Sequence, residues 1–129
     1  MLTSEMKPET ERWLRRAERH LEVAHLEIGA SYVEHGIFWC QQALEVLLKG
    51  MILERTQLAA PPRTHDLIAL TRRLGLALSD DQRRLLRRLT DEYSPTRYPE
   101  FEVDVEKETA ESYLGESEVL FSWLRSQVT

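Results

Sequence analysis

Cysteine occurs once, at Cys40, so the chain can close no internal disulfide and build no cysteine-based zinc site. Glycine and proline number five each, and no glycine-rich phosphate loop is among them. No apolar run approaches the roughly 18 residues that a membrane span requires. Neither a His-Glu-x-x-His helix motif nor a serine nucleophile motif occurs. Of the four histidines, His20 and His25 lie five residues apart, a spacing that does not bring them onto one helical face as a zinc pair. The opening stretch MLTSEMKPETER has no basic region followed by an apolar one, so no signal peptide is expected. These absences point to a soluble, cytoplasmic protein without a metal or cofactor.

What remains is rich in Leu, Ala, Glu and Arg, the composition of a mostly helical chain, and 129 residues suit one domain, 1–129. No segment alternates with the period of a strand. Pro8 is expected to open a first helix, whose inward stripe is Leu14, Ala17, Leu21, Ala24 and Ile28, with Gly29 as a left-handed stop. Ser31 and Glu34 read as a capping box for a second helix over about 32–56. Its broad apolar face, from Val33 and Ile37 to Met51 and Ile52, predicts a central position. The prolines of QLAAPPR end it. Thr64 is expected to cap a short third helix closed by Gly75, and Ser79 with Gln82 to box the start of a fourth, with Leu85, Leu86, Leu89 and Tyr93 inward. Pro95 and Pro99 stop that helix, and Asp104 starts a fifth with Tyr113, Leu120, Phe121 and Leu124 inward. The expected architecture is all-α, an up-and-down bundle of about five helices.

Charge is unevenly placed. Residues 55–97 carry nine basic and five acidic side chains, whereas residues 98–129 carry two basic and eight acidic ones. Arg83, Arg84, Arg87 and Arg88 form two i,i+4 pairs of like charge, which carboxylates such as Asp80 and Asp81 are expected to offset. His35, Gln42, Glu45 and Lys49 share one face of the second helix. That face is either a solvated one carrying a Glu45–Lys49 pair or the border of a groove or a subunit contact. In the loop YSPTRYPEFEVD, Arg97 lies between two prolines beside Tyr98 and four residues from Tyr93. A guanidinium fork matches phosphate or carboxylate, and a tyrosine stacks on a base or binds phosphate through its hydroxyl. Pairing of Arg97 with Glu100 or Glu102 is the alternative.

Three segments in order carry a family resemblance. YVEHGIFWCQQALEVLLKGMIL (Tyr32 to Leu53) has a tyrosine and an aromatic leading into Gln-Gln-Ala-x-Glu-x-x-Leu-Lys. PPRTHDLIAL (Pro61 to Leu70) has Pro-x-x-His-Asp-Leu, and Tyr93 with TRYP (Thr96 to Pro99) gives Tyr-x-x-x-Arg-Tyr-Pro. Together they resemble the HEPN (higher eukaryote and prokaryote nucleotide-binding) domain family, in the branch with that last signature. The resemblance implies a small helical bundle forming a homodimer and binding a nucleotide or RNA, often beside a minimal nucleotidyltransferase partner, sometimes as a toxin–antitoxin pair. It places Gln42, Glu45 and Lys49 on the second-helix motif, His65 and Asp66 at the entry to the third helix, and Tyr93, Arg97 and Tyr98 on the loop. Inferred roles are Arg97 and Lys49 toward phosphate, Tyr93 or Tyr98 toward a base, and His65–Asp66 as loop organiser or polar contact. Ribonuclease members carry Arg-x4-6-His near the start of the last long helix, but no histidine follows Arg97 here. Arg15 with His20 and Arg19 with His25 have the spacing on the first helix instead. No catalytic residue is therefore assigned. Metal-independent RNA cleavage and a purely structural adaptor are the alternative functions.

Overall fold

The computed structural model describes residues 5–128, which form six helices and no strand. The three long ones are α1 (Pro8–Gly29), α2 (Val33–Arg55) and α6 (Lys107–Ser126). Between α2 and α6 lie α3 (Leu67–Leu74), α4 (Asp80–Asp91) and α5 (Tyr93–Arg97). The all-helical class stands as expected. No helix among the described residues is long and apolar enough to cross a membrane.

The centre belongs to α2. Fifteen of its residues are buried, among them Ile37, Cys40, Leu44, Leu47, Leu48 and Met51, because α1, α3, α4, α5 and α6 all pack against it. The antiparallel α1–α2 hairpin is the most extensive contact. Leu14, Ala17, Ala24 and Ile28 of α1 face this core, as do Tyr113, Leu120, Phe121 and Leu124 of α6. Burial pushes the Cys40 thiol up to about 12, so the only cysteine is a protonated core residue.

Several local signals act as their chemistry predicts. Pro8 stands at the start of α1, Gly75 closes α3 with φ 63°, and Ser79 and Gln82 form a reciprocal capping box on α4. Others do not. The expected Ser31–Glu34 box is absent: Ser31 takes the left-handed turn at φ 71°, and Tyr32 caps α2 without a side-chain bond. The left-handed residue of that turn is therefore Ser31 and not Gly29, and Ala30 follows α1 at φ −88°. Thr64 does not cap α3; Asp66 does, accepting from the amides of Ile68 and Ala69, while Thr64 Oγ1 accepts from the Asp66 amide. The last helix begins at Lys107 rather than Asp104.

The largest departure is α5. Pro95 does not end a helix here; it lies in the first turn of a new one, where its missing N–H has no carbonyl to reach. Tyr93 accordingly starts α5 instead of completing the inner face of α4. Two of the four arginines of α4 are offset by carboxylates as expected, Arg83 on Asp80 and Arg84 on Asp81, each at 2.7 Å. Arg88 donates to the Tyr113 hydroxyl at 2.6 Å.

Candidate functional site

The polar stripe of α2 is not a solvated face. Glu45 and Lys49 are 5% and 8% exposed, and His65 of the connection from α2 to α3 lies against Glu45. A carboxylate in such a place must be fully bonded. Glu45 Oε2 accepts from Lys49 Nζ at 2.9 Å. Its Oε1 accepts from Gln41 Nε2 at 3.0 Å, from Gln42 Nε2 at 3.3 Å and from His65 Nδ1 at 2.8 Å. Burial pushes the Glu45 pKa up, but the hydrogen bonds from Gln41, Lys49 and His65 together outweigh it and hold the carboxyl below its ordinary range.

The sign of the pH dependence follows. A carboxyl whose folded pKa lies below its unfolded value contributes stability above that unfolded value, 4.5 here, and loses it as pH falls through the folded one. Urea unfolding midpoints should therefore fall below pH 4.5 in the wild type. The Glu45→Gln variant, with nothing to titrate at this position, should show a shallower acid limb. An identical limb would remove Glu45 from the acid sensitivity.

His65 is placed by its neighbours on both sides. Its carbonyl accepts from Gln41 Nε2 at 3.1 Å, and the Leu67 amide donates to Thr90 Oγ1 at 3.1 Å, tying the entry of α3 to α4. Since a carboxylate only accepts, Nδ1 of His65 carries a proton, and Nε2 is the other nitrogen of a half-exposed ring. That ring stacks on Tyr93 with centroids 4.1 Å apart and planes 18° apart. Phe38 flanks the tyrosine at 5.8 Å. Burial raises the Tyr93 pKa, so its hydroxyl stays protonated.

Arg97 completes the row. Its guanidinium donates to the Tyr93 hydroxyl and lies over the rings of Tyr93 and Tyr98, at 5.4 and 5.3 Å. Among the described residues neither Glu100, Glu102 nor any other carboxylate comes within ion-pair distance of it. Arg97 is exposed and Tyr98 is 43% exposed.

The fold thus joins Gln42, Glu45, Lys49, His65, Tyr93, Arg97 and Tyr98 into one connected series running from the core to solvent. Asp66 stands at its edge as the cap of α3, and Lys49 is directed to Glu45 rather than to solvent. His35 belongs to a different environment, beside Glu34 at 3.3 Å. Two members were missed in the sequence. Gln41, fully buried, bridges Glu45 and the His65 carbonyl, and Phe38 backs Tyr93. The i,i+4 spacing of Gln41 to Glu45 was the available signal.

The HEPN domain model matches residues 10–127. The chain belongs to the HEPN domain family. At the family level it is a nucleotide-binding or ribonuclease-like module. Two crystal structures share the HEPN fold over 93% of this chain and 98% of their own. TT1696 from Thermus thermophilus is 23% identical with a TM-score of 0.80. ST0689, described as an archaeal HEPN homologue, is 24% identical with a TM-score of 0.71. Among curated proteins none matches this HEPN domain.

Proposed function

We propose that this HEPN domain binds a nucleotide or RNA at the Tyr93–Arg97–Tyr98 surface, as a homodimer acting with a minimal nucleotidyltransferase in a toxin–antitoxin-like pair. The observation that carries the binding role is the state of Arg97. Its guanidinium is exposed, prepositioned by two tyrosines and neutralised by no carboxylate among the described residues. A phosphate meets ready donors there without an ion pair having to break first. Tyr98 offers a half-open ring for a base. Glu45, Gln41 and Lys49 act behind the surface by fixing His65, and through its ring Tyr93. Homodimerisation and the transferase partner rest on the family likeness.

A thermal-shift panel of nucleotides and short RNAs tests the reading. A ligand at 100 times its Kd stabilises the folded state by about 2.7 kcal/mol. The shift should vanish in Arg97→Ala, whose unliganded melting point should stay close to wild type because the side chain is exposed. Absence of any shift with every ligand would count against nucleotide binding.

One arrangement favours metal-independent RNA cleavage as a second reading. His65 is oriented through Nδ1 by a carboxylate and stacks on Tyr93, whose hydroxyl accepts from Arg97, so an imidazole and a cation share one tyrosine. RNA left intact by the wild type in the presence of a chelator would eliminate it.

A further inference from the structure

The residues of α1 carry a feature that the Arg97 surface does not use. Arg12, Arg15, Arg16 and Arg19 fall within eight residues of one helix. Only Arg15 has a carboxylate within ion-pair reach among the described residues, Glu11 at 4.0 Å, and both side chains are more than half exposed. Like charges at three- and four-residue spacing repel, and here no packed acid relieves Arg12 or Arg16. These two arginines rim a depression on the α1–α2 hairpin whose floor is Trp13, His20 and Val46.

The depression is connected to the Arg97 surface by rings. His20 meets Trp39 at 4.7 Å, Trp39 meets Phe38 at 5.0 Å, Phe38 meets Tyr93 at 5.8 Å, and Tyr93 stacks on His65 at 4.1 Å. An aromatic ladder therefore crosses α2, with unpaired arginines at both ends. Trp39 and Trp13 remain partly open to solvent. Burial, then the nearby Arg16, lowers the His20 pKa, so the ring between the arginines and Trp39 is neutral at pH 7 and serves as an apolar surface. Two separated cationic points joined by rings match a chain of phosphates with bases between them, and do not match one nucleotide. The chain as a whole carries −5, so the attraction is local.

We infer that Arg12 and Arg16 of α1, with Trp39, form a second contact zone for single-stranded polynucleotide, and that one strand spans from there across α2 to Arg97. The inference rests on the nucleotide-binding reading and narrows its ligand to an oligomer. The test is fluorescence anisotropy with end-labelled single-stranded RNAs of three and twelve nucleotides, on wild type, Arg97→Ala and the double variant Arg12→Gln/Arg16→Gln. Size-exclusion runs alongside to monitor assembly. The wild type should bind the twelve-mer at least tenfold more tightly than the trimer. The double variant should bring the twelve-mer down to the trimer's affinity while leaving the trimer unchanged, whereas Arg97→Ala should lose the trimer. Losing two phosphate contacts should also make the slope of log K against log salt shallower by about 1.4, at about 0.7 per contact for single strands. Equal affinity for both lengths, or an unaltered twelve-mer affinity in the double variant, would overturn the α1 zone while the Arg97 site stands. Wild type that binds neither length would end both readings. Loss of twelve-mer binding together with a changed elution volume would assign the arginines to a protein contact and overturn the proposal.

Discussion

Glu45→Ala should destabilise the protein by about 3–5 kcal/mol, the range for removing one partner of a buried ion pair. The cost lies mainly in what is left behind. Lys49, only 8% exposed, would keep an ammonium with no counter-charge among the described residues, and Gln41 would lose one of its acceptors. His65 would lose the bond that fixes its ring against Tyr93. For a chain of this size, a loss on that scale lowers Tm by on the order of ten degrees. Urea denaturation gives the free energy directly. The double replacement Glu45→Leu/Lys49→Met separates the stranded charge from the lost attraction, and should recover most of the stability. If Glu45→Ala costs less than about 1 kcal/mol, the network is an ornament of the fold and not part of its support.

Gly36→Val should be the most damaging change on the α1–α2 contact. A Cβ at Gly36 would overlap Ile28 Cγ1, stand 2.9 Å from Ile28 Cδ1 and lie 3.2 Å from the Ile28 amide nitrogen. Ile28 is itself fully buried and the amide is backbone, so neither can give way without separating the helices. Overpacking of this kind costs about 1–3 kcal/mol, and the two further methyls of valine put this site at the upper end. Gly115→Ala is the matching control. Its Cβ would meet nothing within 4 Å on the exposed side of α6, so alanine should add about 0.5–1 kcal/mol. Thermal melts of both variants decide the matter: equal melting points would mean that the hairpin tolerates side chains at its closest approach.

The parts of the fold that were legible in the sequence are those fixed by local chemistry. Pro8, Gly75 and the Ser79–Gln82 box each satisfy or excuse backbone groups within a turn, so their effect needs no knowledge of the rest of the molecule. The apolar breadth of α2 likewise announced its central place. What failed depended on distant contacts. Ser31 followed by Glu34 is a valid start signal, yet the tight approach of α1 and α2 requires a left-handed residue there, and Ser31 supplies it. The prolines of YSPTRYPEFEVD read as breakers, but Pro95 fits the first turn of a helix begun by Tyr93. For the site, helical spacing grouped Gln42, Glu45 and Lys49 on one face, the chemistry of the loop raised Tyr93, Arg97 and Tyr98, and the family likeness added His65 and Asp66. Whether that face was wet or dry could not be read from spacing, because the group that closes on Glu45 there, His65, stands twenty residues away in the chain.

Cys40 gives the chain a property independent of any ligand. It is the one thiol, fully enclosed at the middle of α2, and protonated at ordinary pH. An alkylating reagent can therefore reach it only when the helices around α2 part. The rate of its modification is then a clock for opening of the core. It needs no engineered label, and it distinguishes breathing of the bundle from movement of the Arg97 surface.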